Sequence, residues 1–198
     1  MSGDDERPRC GWVADGPDFY CEYHDREWGK PVRDHNALFE RISLEAFQSG
    51  LSWLTILAKR PSFRAAFAGF DIETVARYTD ADVARLLGDA GIVRNRAKIE
   101  ATIANARVAA DLSVELSDLV WSFAPPPAPR PLTSADVPAT SAESIALARR
   151  LKAVGFRFVG PTTMYALMQA IGMVDDHEQT CWVPSASAIT GSFHTLDP

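Results

Sequence analysis

"TSAESIALARRLKAVGFRFVGPTTMYALMQAIG", residues 140–172, contains two helical runs joined by a short connection bounded by glycines. Thr140 and Glu143 stand in capping-box spacing, which predicts a helix start there. The connection "VGFRFVG", residues 154–160, carries Gly155 and Gly160. Glycine reaches backbone conformations closed to other residues, so the helices can turn back on each other tightly. Pro161 is tolerated in the first turn of the second helix, and Gly172 closes it. Such a hairpin belongs to a helical protein, and the rest of the chain agrees. "DHNALFERISLEAFQSG" runs from a suitable N-cap, Asp34, to a glycine stop at Gly50. "SWLTILAKR" is predicted to stop before Pro61. Short helices follow in "PSFRAAFAGF", "DIETVARYT", "DADVARLLGDAG" and "LSDLVWSF", with a longer one from Asn95 to Leu112. No internal repeat and no strand alternation breaks the pattern. "APPPAPRPLTSADVP", residues 124–138, has too many prolines for a helix and is a long loop of the kind that is functional or mobile. It marks no domain boundary, because matching helices resume after it. The expectation is an all-α helical bundle with one core, a single domain over residues 1–198.

The hairpin also has a chemical reading. Backbone N–H groups near Thr162, Thr163 and Met164 have no intrahelical acceptor and, with the helix dipole, can hold a phosphate. Arg157 at the tip and Arg149, Arg150 and Lys152 nearby supply positive charge. The arrangement resembles a helix–hairpin–helix element, about residues 143–171, in which Gly155, Arg157, Gly160, Thr162 and Thr163 would grip a DNA backbone without reading its sequence. An ordinary αα-hairpin has the same outline.

Composition sets the outer limits. The 198 residues are 46% hydrophobic and 23% charged, ordinary values for a soluble globular chain. No apolar run approaches the ~18 residues of a membrane span. The polar start "MSGDDERPRC" is unlike a signal peptide, so the expected address is the cytoplasm. The net charge of −6 argues mildly against nucleic acid as a partner. Local patches decide such binding, however, and a second basic cluster contains Arg94, Arg96, Lys98 and Arg107. Solvated helix faces have the same appearance. Three cysteines, Cys10, Cys21 and Cys181, make a poor disulfide framework and favour thiol or metal roles.

Three further features carry chemistry. In "DDHEQTC", residues 175–181, His177 and Cys181 are four apart, which on a helical turn sets both toward one metal ion. "RCGWVADGPDFYCEYHDREWG" gathers Trp12, Phe19, Tyr20, Tyr23 and Trp28 with little helical periodicity. These rings either plug the core or wall a pocket for a flat ligand. Glu45 falls on the same helical stripe as Leu38, Ile42 and Ser49, with Arg41 and Gln48 toward another side. A carboxylate in an apolar stripe needs a partner or a task. Trp53 follows one turn into the next helix.

"RCGW", "YHDREWG", "LFERISLEAFQSGLSWLTIL", "AGIVRNRAKI", "VWSF", "GFRFVG" and "DDHEQTC" occur in the order and approximate spacing of the DNA-3-methyladenine glycosylase I family. The chain resembles that family from Cys10 to Cys181. The resemblance implies a monofunctional enzyme that hydrolyses the N-glycosidic bond of 3-methyladenine in double-stranded alkylated DNA and leaves an abasic site. It implies that Glu45 is the catalytic-site carboxylate, acting through recognition of the cationic base. Trp53 would stack on that base, and Trp12, Tyr20 and Tyr23 would complete the pocket. Asp175 and Asp176 fall where wider relatives carry a catalytic aspartate, and no lysine follows the hairpin to form a Schiff base. The resemblance also completes the metal set. Cys10 and His24 join His177 and Cys181 around one structural zinc that ties segment 10–24 to segment 177–181. Four protein ligands leave no open position for water. Cys21, His35 and His194 have no matching role. Two alternatives keep the fold: a broader alkylpurine range that includes 3-methylguanine, and a lesion- or DNA-binding module without catalysis. A monomer would suffice, and no membrane is involved.

Overall fold

The computed structural model describes residues 7–13 and 16–185. The segment 186–198, with His194, lies outside the described residues. Nine α-helices are found in those residues: α1 Asp18–Arg26, α2 His35–Gln48, α3 Trp53–Ala66, α4 Ile72–Ala76, α5 Asp80–Gly88, α6 Arg96–Ala110, α7 Leu116–Trp121, α8 Ala142–Ala153 and α9 Pro161–Ala170. The described residues contain no strand, so the all-α reading holds. None of these helices is long and apolar enough to cross a membrane.

The centre of the fold is α2, which packs against α3, α6, α7 and α9. Asp34 caps it by accepting from the Ala37 N–H at 2.8 Å, and Gly50, at φ 84°, turns the chain after its end. Every residue from Leu38 to Phe47 is buried. Leu38, Phe39, Ile42 and Phe47 carry the apolar side, with Phe47 4.7 Å from Phe63 across α3. The helix therefore buries its polar side too, and Glu40, Arg41 and Glu45 are all removed from water. Buried charge is costly unless paired. Glu40 is held by Arg64 at 2.9 Å and Arg41 by Glu27 at 2.8 Å. Glu45 has no such ion partner.

Several boundaries differ from the sequence reading. The helix predicted to stop before Pro61 runs through it to Ala66. Burial of Ile56 and Leu57 before the proline, and of Phe63 and Ala66 after it, outweighs the lost N–H donor. The N-cap of α8 is Ser141, not Thr140. Its hydroxyl accepts from the Ser144 N–H at 3.1 Å while the Ser144 hydroxyl accepts from the Ser141 N–H at 2.9 Å, so the box is shifted by one residue. The aromatic N-terminal segment is helical over α1, whose inward face carries Tyr23, His24 and Asp25. His177 and Cys181 do not lie on a helix; a turn links them, with the Cys181 N–H on the Glu178 carbonyl at 2.9 Å. The second basic cluster is not one surface. Lys98 is buried and donates to the Phe47 and Ser49 carbonyls at 2.8 and 2.6 Å, capping the end of α2, and Arg107 donates to the Ala76 and Tyr78 carbonyls.

The chain after α1 meets the end of α9. The segment after α1 crosses its C-terminus, with the Gly29 N–H on the Gln169 carbonyl and the Val32 N–H on the Ile171 carbonyl, both at 3.2 Å. Gly172, at φ 71°, permits this crossing: a Cβ there would stand 2.6 Å from the Gly29 oxygen. Gly172→Ala should therefore lose about 2–3 kcal/mol of stability. A thermal melt should register this as a drop of roughly 5–10 °C; an unchanged melt would show that the two backbones can separate freely.

Candidate base pocket and metal centre

Cys10, His24, His177 and Cys181 converge, all buried, with their ligand atoms within 4.8 Å of one another. Cys10 Sγ to His177 Nδ1, Cys181 Sγ to His177 Nδ1, and Cys181 Sγ to His24 Nε2 are each 3.5 Å. A tetrahedral ion with metal–sulfur bonds of about 2.3 Å and metal–nitrogen bonds of about 2.05 Å has sulfur–nitrogen edges of roughly 3.5 Å. Three of the six edges thus match a tetrahedral site, and the four side chains could hold one metal ion. Burial pushes the Cys10 thiol up to about 12, and pushes the imidazole of His24 down and that of His177 down to about 4. Neutral imidazoles are ready ligands, and buried thiols need a cation to become thiolates.

Surrounding groups fix the ring orientations. His24 presents Nε2 inward and bonds Asp25 Oδ1 through Nδ1 at 2.8 Å. Asp25 is held in turn by Arg9, at 2.8 Å from Nη2, and by the Trp182 indole N–H at 3.1 Å. His177 presents Nδ1 inward, with Nε2 toward the Trp28 carbonyl at 3.3 Å. The Glu178 N–H donates to Cys10 Sγ at 3.3 Å.

The same aromatic side chains that border this centre wall a cavity of about 280 Å³. Trp12 lies 5.3 Å from the His24 ring, 5.0 Å from Trp28 and 5.1 Å from Tyr20, so it belongs to both features. Helix α1 supplies Tyr20 and Tyr23, α2 supplies Glu45 and Gln48, and α3 supplies Trp53. Tyr23 and Trp53 meet at 5.6 Å. The far wall is Ala166 and Gln169 of α9 together with Asp176, and the proline-rich loop adds Ser134 and Val137. That loop is anchored: Arg130 pairs with Asp175 at 2.9 Å, and the Ser134 N–H and the Gly11 N–H both donate to Glu178 Oε1.

Two polar atoms of this cavity have no hydrogen-bond partner, Glu45 Oε2 and Trp53 Nε1. Burial pushes the Glu45 carboxyl up to about 8, against the opposing charge of Arg41. The empty pocket therefore holds a neutral acid near neutral pH that a cation could ionise. Burial also pushes the Tyr23 phenol well up. Orphaned buried groups in an aromatic slot of this size fit a flat polar ligand about as large as one nucleobase.

The sequence profile of the methyladenine glycosylase family matches residues 12–184. The chain belongs to that family. The DNA-3-methyladenine glycosylase 1 of Escherichia coli is 47% identical over 180 residues, covering 87% of this chain and 95% of the relative. The DNA-3-methyladenine glycosylase of Haemophilus influenzae is 43% identical, over 87% of this chain and 96% of its own. A crystal structure of a 3-methyladenine DNA glycosylase I superposes with a TM-score of 0.85 at 44% identity, covering 88% of this chain and 98% of that one. A variant of such an enzyme, solved in complex with 3-methyladenine, superposes at 0.83 with 33% identity, over 89% and 97% of the two chains.

In this methyladenine glycosylase family member, the five pocket residues read from the sequence, Trp12, Tyr20, Tyr23, Glu45 and Trp53, share one cavity. The four metal candidates share one cluster. The backbone-gripping candidates lie apart from both: Arg157, Thr162 and the nearby Arg149, Arg150 and Lys152 are exposed. Thr162 and Gln169 are about 10 Å apart along α9, so one helix spans both places. Trp28 is one of the rings of the aromatic segment that walls the cavity, and Asp176, not Asp175, lines it; Gln48 and Gln169 carry no signal in the sequence. Asp176 accepts from the Tyr165 hydroxyl and from Gln169 Nε2, both at 2.8 Å. Asn105 was missed as well: nearly fully buried, it bonds both the N–H and the carbonyl of Arg157 and so fixes the hairpin. Asp25→Ala removes the acceptor that orients His24 and should weaken metal affinity ~10–100-fold, measured by competition with a chromophoric chelator. Unchanged affinity would mean that Asp25 does not position His24 for the metal.

Proposed function

We propose that this chain hydrolyses the N-glycosidic bond of 3-methyladenine in alkylated double-stranded DNA, releasing the free base and leaving an abasic site. The observation that carries the assignment to this pocket is Glu45, a buried carboxyl with an unpartnered oxygen in an aromatic slot. A base methylated at N3 is cationic while it is attached to the sugar. Removing it from the stack costs a few kcal/mol, least for a damaged base. In the pocket Glu45 meets the charge, and Trp53 adds stacking and cation–π attraction of ~0.5–2 kcal/mol. Trp12, Tyr20 and Tyr23 exclude water from the ring faces. When the C1′–N9 bond breaks, its electron pair passes to the base, which leaves neutral, so no strong general acid is required. Water adds to C1′ of the sugar cation and loses a proton. No lysine lines the cavity, in keeping with hydrolysis instead of a Schiff-base lyase.

The α8 and α9 pair, about residues 143–171, is read as a helix–hairpin–helix grip on the DNA backbone. Gly160 caps α9 without a side-chain acceptor, which leaves first-turn N–H groups near Thr162 and Thr163 for a phosphate. Gly155, at φ 107°, and Arg157 form the turn beside it. The ion that suits the Cys10, His24, His177 and Cys181 set is one Zn²⁺, because two thiolates and two imidazoles in a closed tetrahedron match its preference. Its part is structural: it holds Trp12, Tyr20 and Tyr23 in place from both ends of the chain. One chain supplies pocket, grip and metal ligands, so the whole sequence is read as one glycosylase domain that acts as a monomer. A cytoplasmic address fits, since a reducing compartment preserves both thiols.

The test is release of bases from methylated duplex DNA, resolved by chromatography. Free 3-methyladenine alone is the expected product; 3-methylguanine alongside it would broaden the range, and binding without release would reject catalysis. The ionised form of Glu45 is the one that neutralises the cation, and its folded value lies near 8. Below that value, binding must expel a proton. Excision at limiting enzyme should therefore rise about tenfold per pH unit up to the plateau near pH 8. Glu45→Gln should be slower and flat with pH; a Gln variant that keeps the wild-type profile would remove Glu45 from the pocket's function.

A further inference from the structure

Arg41 and Glu45 are one turn apart on α2, a spacing at which oppositely charged side chains can pair. Both are buried, where an ion pair is far stronger than in water. The pair is nevertheless not made. Arg41 Nη2 donates to Glu27 Oε2 at 2.8 Å, Arg41 Nη1 has no partner, and Glu45 Oε2 has none either. Glu27, at the end of α1, also takes both arms of Arg60 from α3, each at 2.7 Å. One carboxylate thus holds two guanidiniums beside Tyr23, each 5.9 Å from its ring centroid. Burial alone would raise the Glu27 carboxyl, but Arg60 and Arg41 outweigh it and hold the group down to about 2.

We propose that Glu27 is a positioning residue: by holding Arg41 on the α1 side of Tyr23, it leaves the Glu45 carboxylate free for a cationic base. The inference rests on the reading that Glu45 receives that base. If Glu27 loses its charge, Arg41 is left with a buried, uncompensated guanidinium and one anion a turn away. Pairing with Glu45 relieves it. The cavity would then present a neutralised carboxylate, and a cationic base would have to displace a guanidinium to reach it. The selectivity of the pocket for positive charge therefore depends on a carboxylate outside its lining.

Two double variants remove the same charges and differ only in which cation remains. Glu27→Gln/Arg41→Met takes away the competitor for Glu45, whereas Glu27→Gln/Arg60→Met leaves it. Each is assayed by release of 3-methyladenine from methylated duplex DNA at limiting enzyme and subsaturating substrate, where the rate reports recognition together with chemistry, with thermal melts to confirm folding. The first is expected within about threefold of the wild-type rate, and the second about tenfold or more slower. Equal losses, or a larger loss in the first, would show that Glu27 serves packing alone and overturn the proposal. Arg41→Met, which keeps the Glu27–Arg60 fork, is expected within about threefold, and a tenfold loss in it overturns the proposal even should a double variant fail to fold. Wild-type protein and Glu45→Gln serve as controls. A wild type that releases nothing, or a Glu45→Gln variant as fast as wild type, defeats the parent reading and this inference together. With both controls as expected, equal doubles defeat the inference alone.

Discussion

Helix α2 is enclosed on every side from Leu38 to Phe47, and that enclosure decides how its charges behave. Water cannot solvate Glu40, Arg41 or Glu45, so each must find an ion, stay neutral or wait for a ligand. Glu40 and Arg41 find ions on α3 and α1. Glu45 does not, and burial keeps it an acid up to about 8. A pocket built around such a group resists any neutral ring that needs a carboxylate and welcomes a cation that ionises it. In the proposed function the same packing that stabilises the protein would thus supply its chemical preference.

A metal held by Cys10, His24, His177 and Cys181 would act on that pocket through packed rings. His24 follows Tyr23 on α1, and Trp12 touches His24, Trp28 and Tyr20 at 5.0–5.3 Å. Two ligands come from residues 10–24 and two from residues 177–181, next to Asp176 on the opposite wall. Closing so long a loop removes much unfolded-state entropy. It would also hold Trp12 and Asp176, which both line the cavity, in fixed relation. Glu178 and the proline-rich loop reinforce the closure by tying Gly11 to Ser134.

Local chemistry was legible in the sequence, and so was the membership of the pocket and the metal cluster once the family resemblance joined its blocks. The stripe argument singled out Glu45 because an acid at that helical phase contradicts its neighbours. The same argument could not place Arg41, since it assumes one wet face and α2 has none. It also lost Pro61, where packing on both sides overrides a local rule, and Lys98, whose charge suggested surface while its stem and ammonium close the end of α2. Gln169, Asp176 and Asn105 carry no local signature. Their roles follow from which backbone or side chain faces them 7 to 52 residues away, and periodicity has no access to that.

The position of charge during the reaction separates recognition from rate. Before the bond breaks, the positive charge is on the base, beside Glu45. Afterward the base is neutral and the sugar is positive. An interaction acts on the chemical step only as far as it strengthens on the way to the transition state. The attraction of Glu45 for the base weakens along that path, because the charge it binds is leaving. In the proposed reaction Glu45 would therefore select the substrate and, once the base is neutral, recover the proton that its surroundings favour, which would loosen the product. In the proposed reaction the sugar's growing charge would have to be met by another group, and the carboxylate that lines the cavity besides Glu45 among the described residues is Asp176, held by Tyr165 and Gln169.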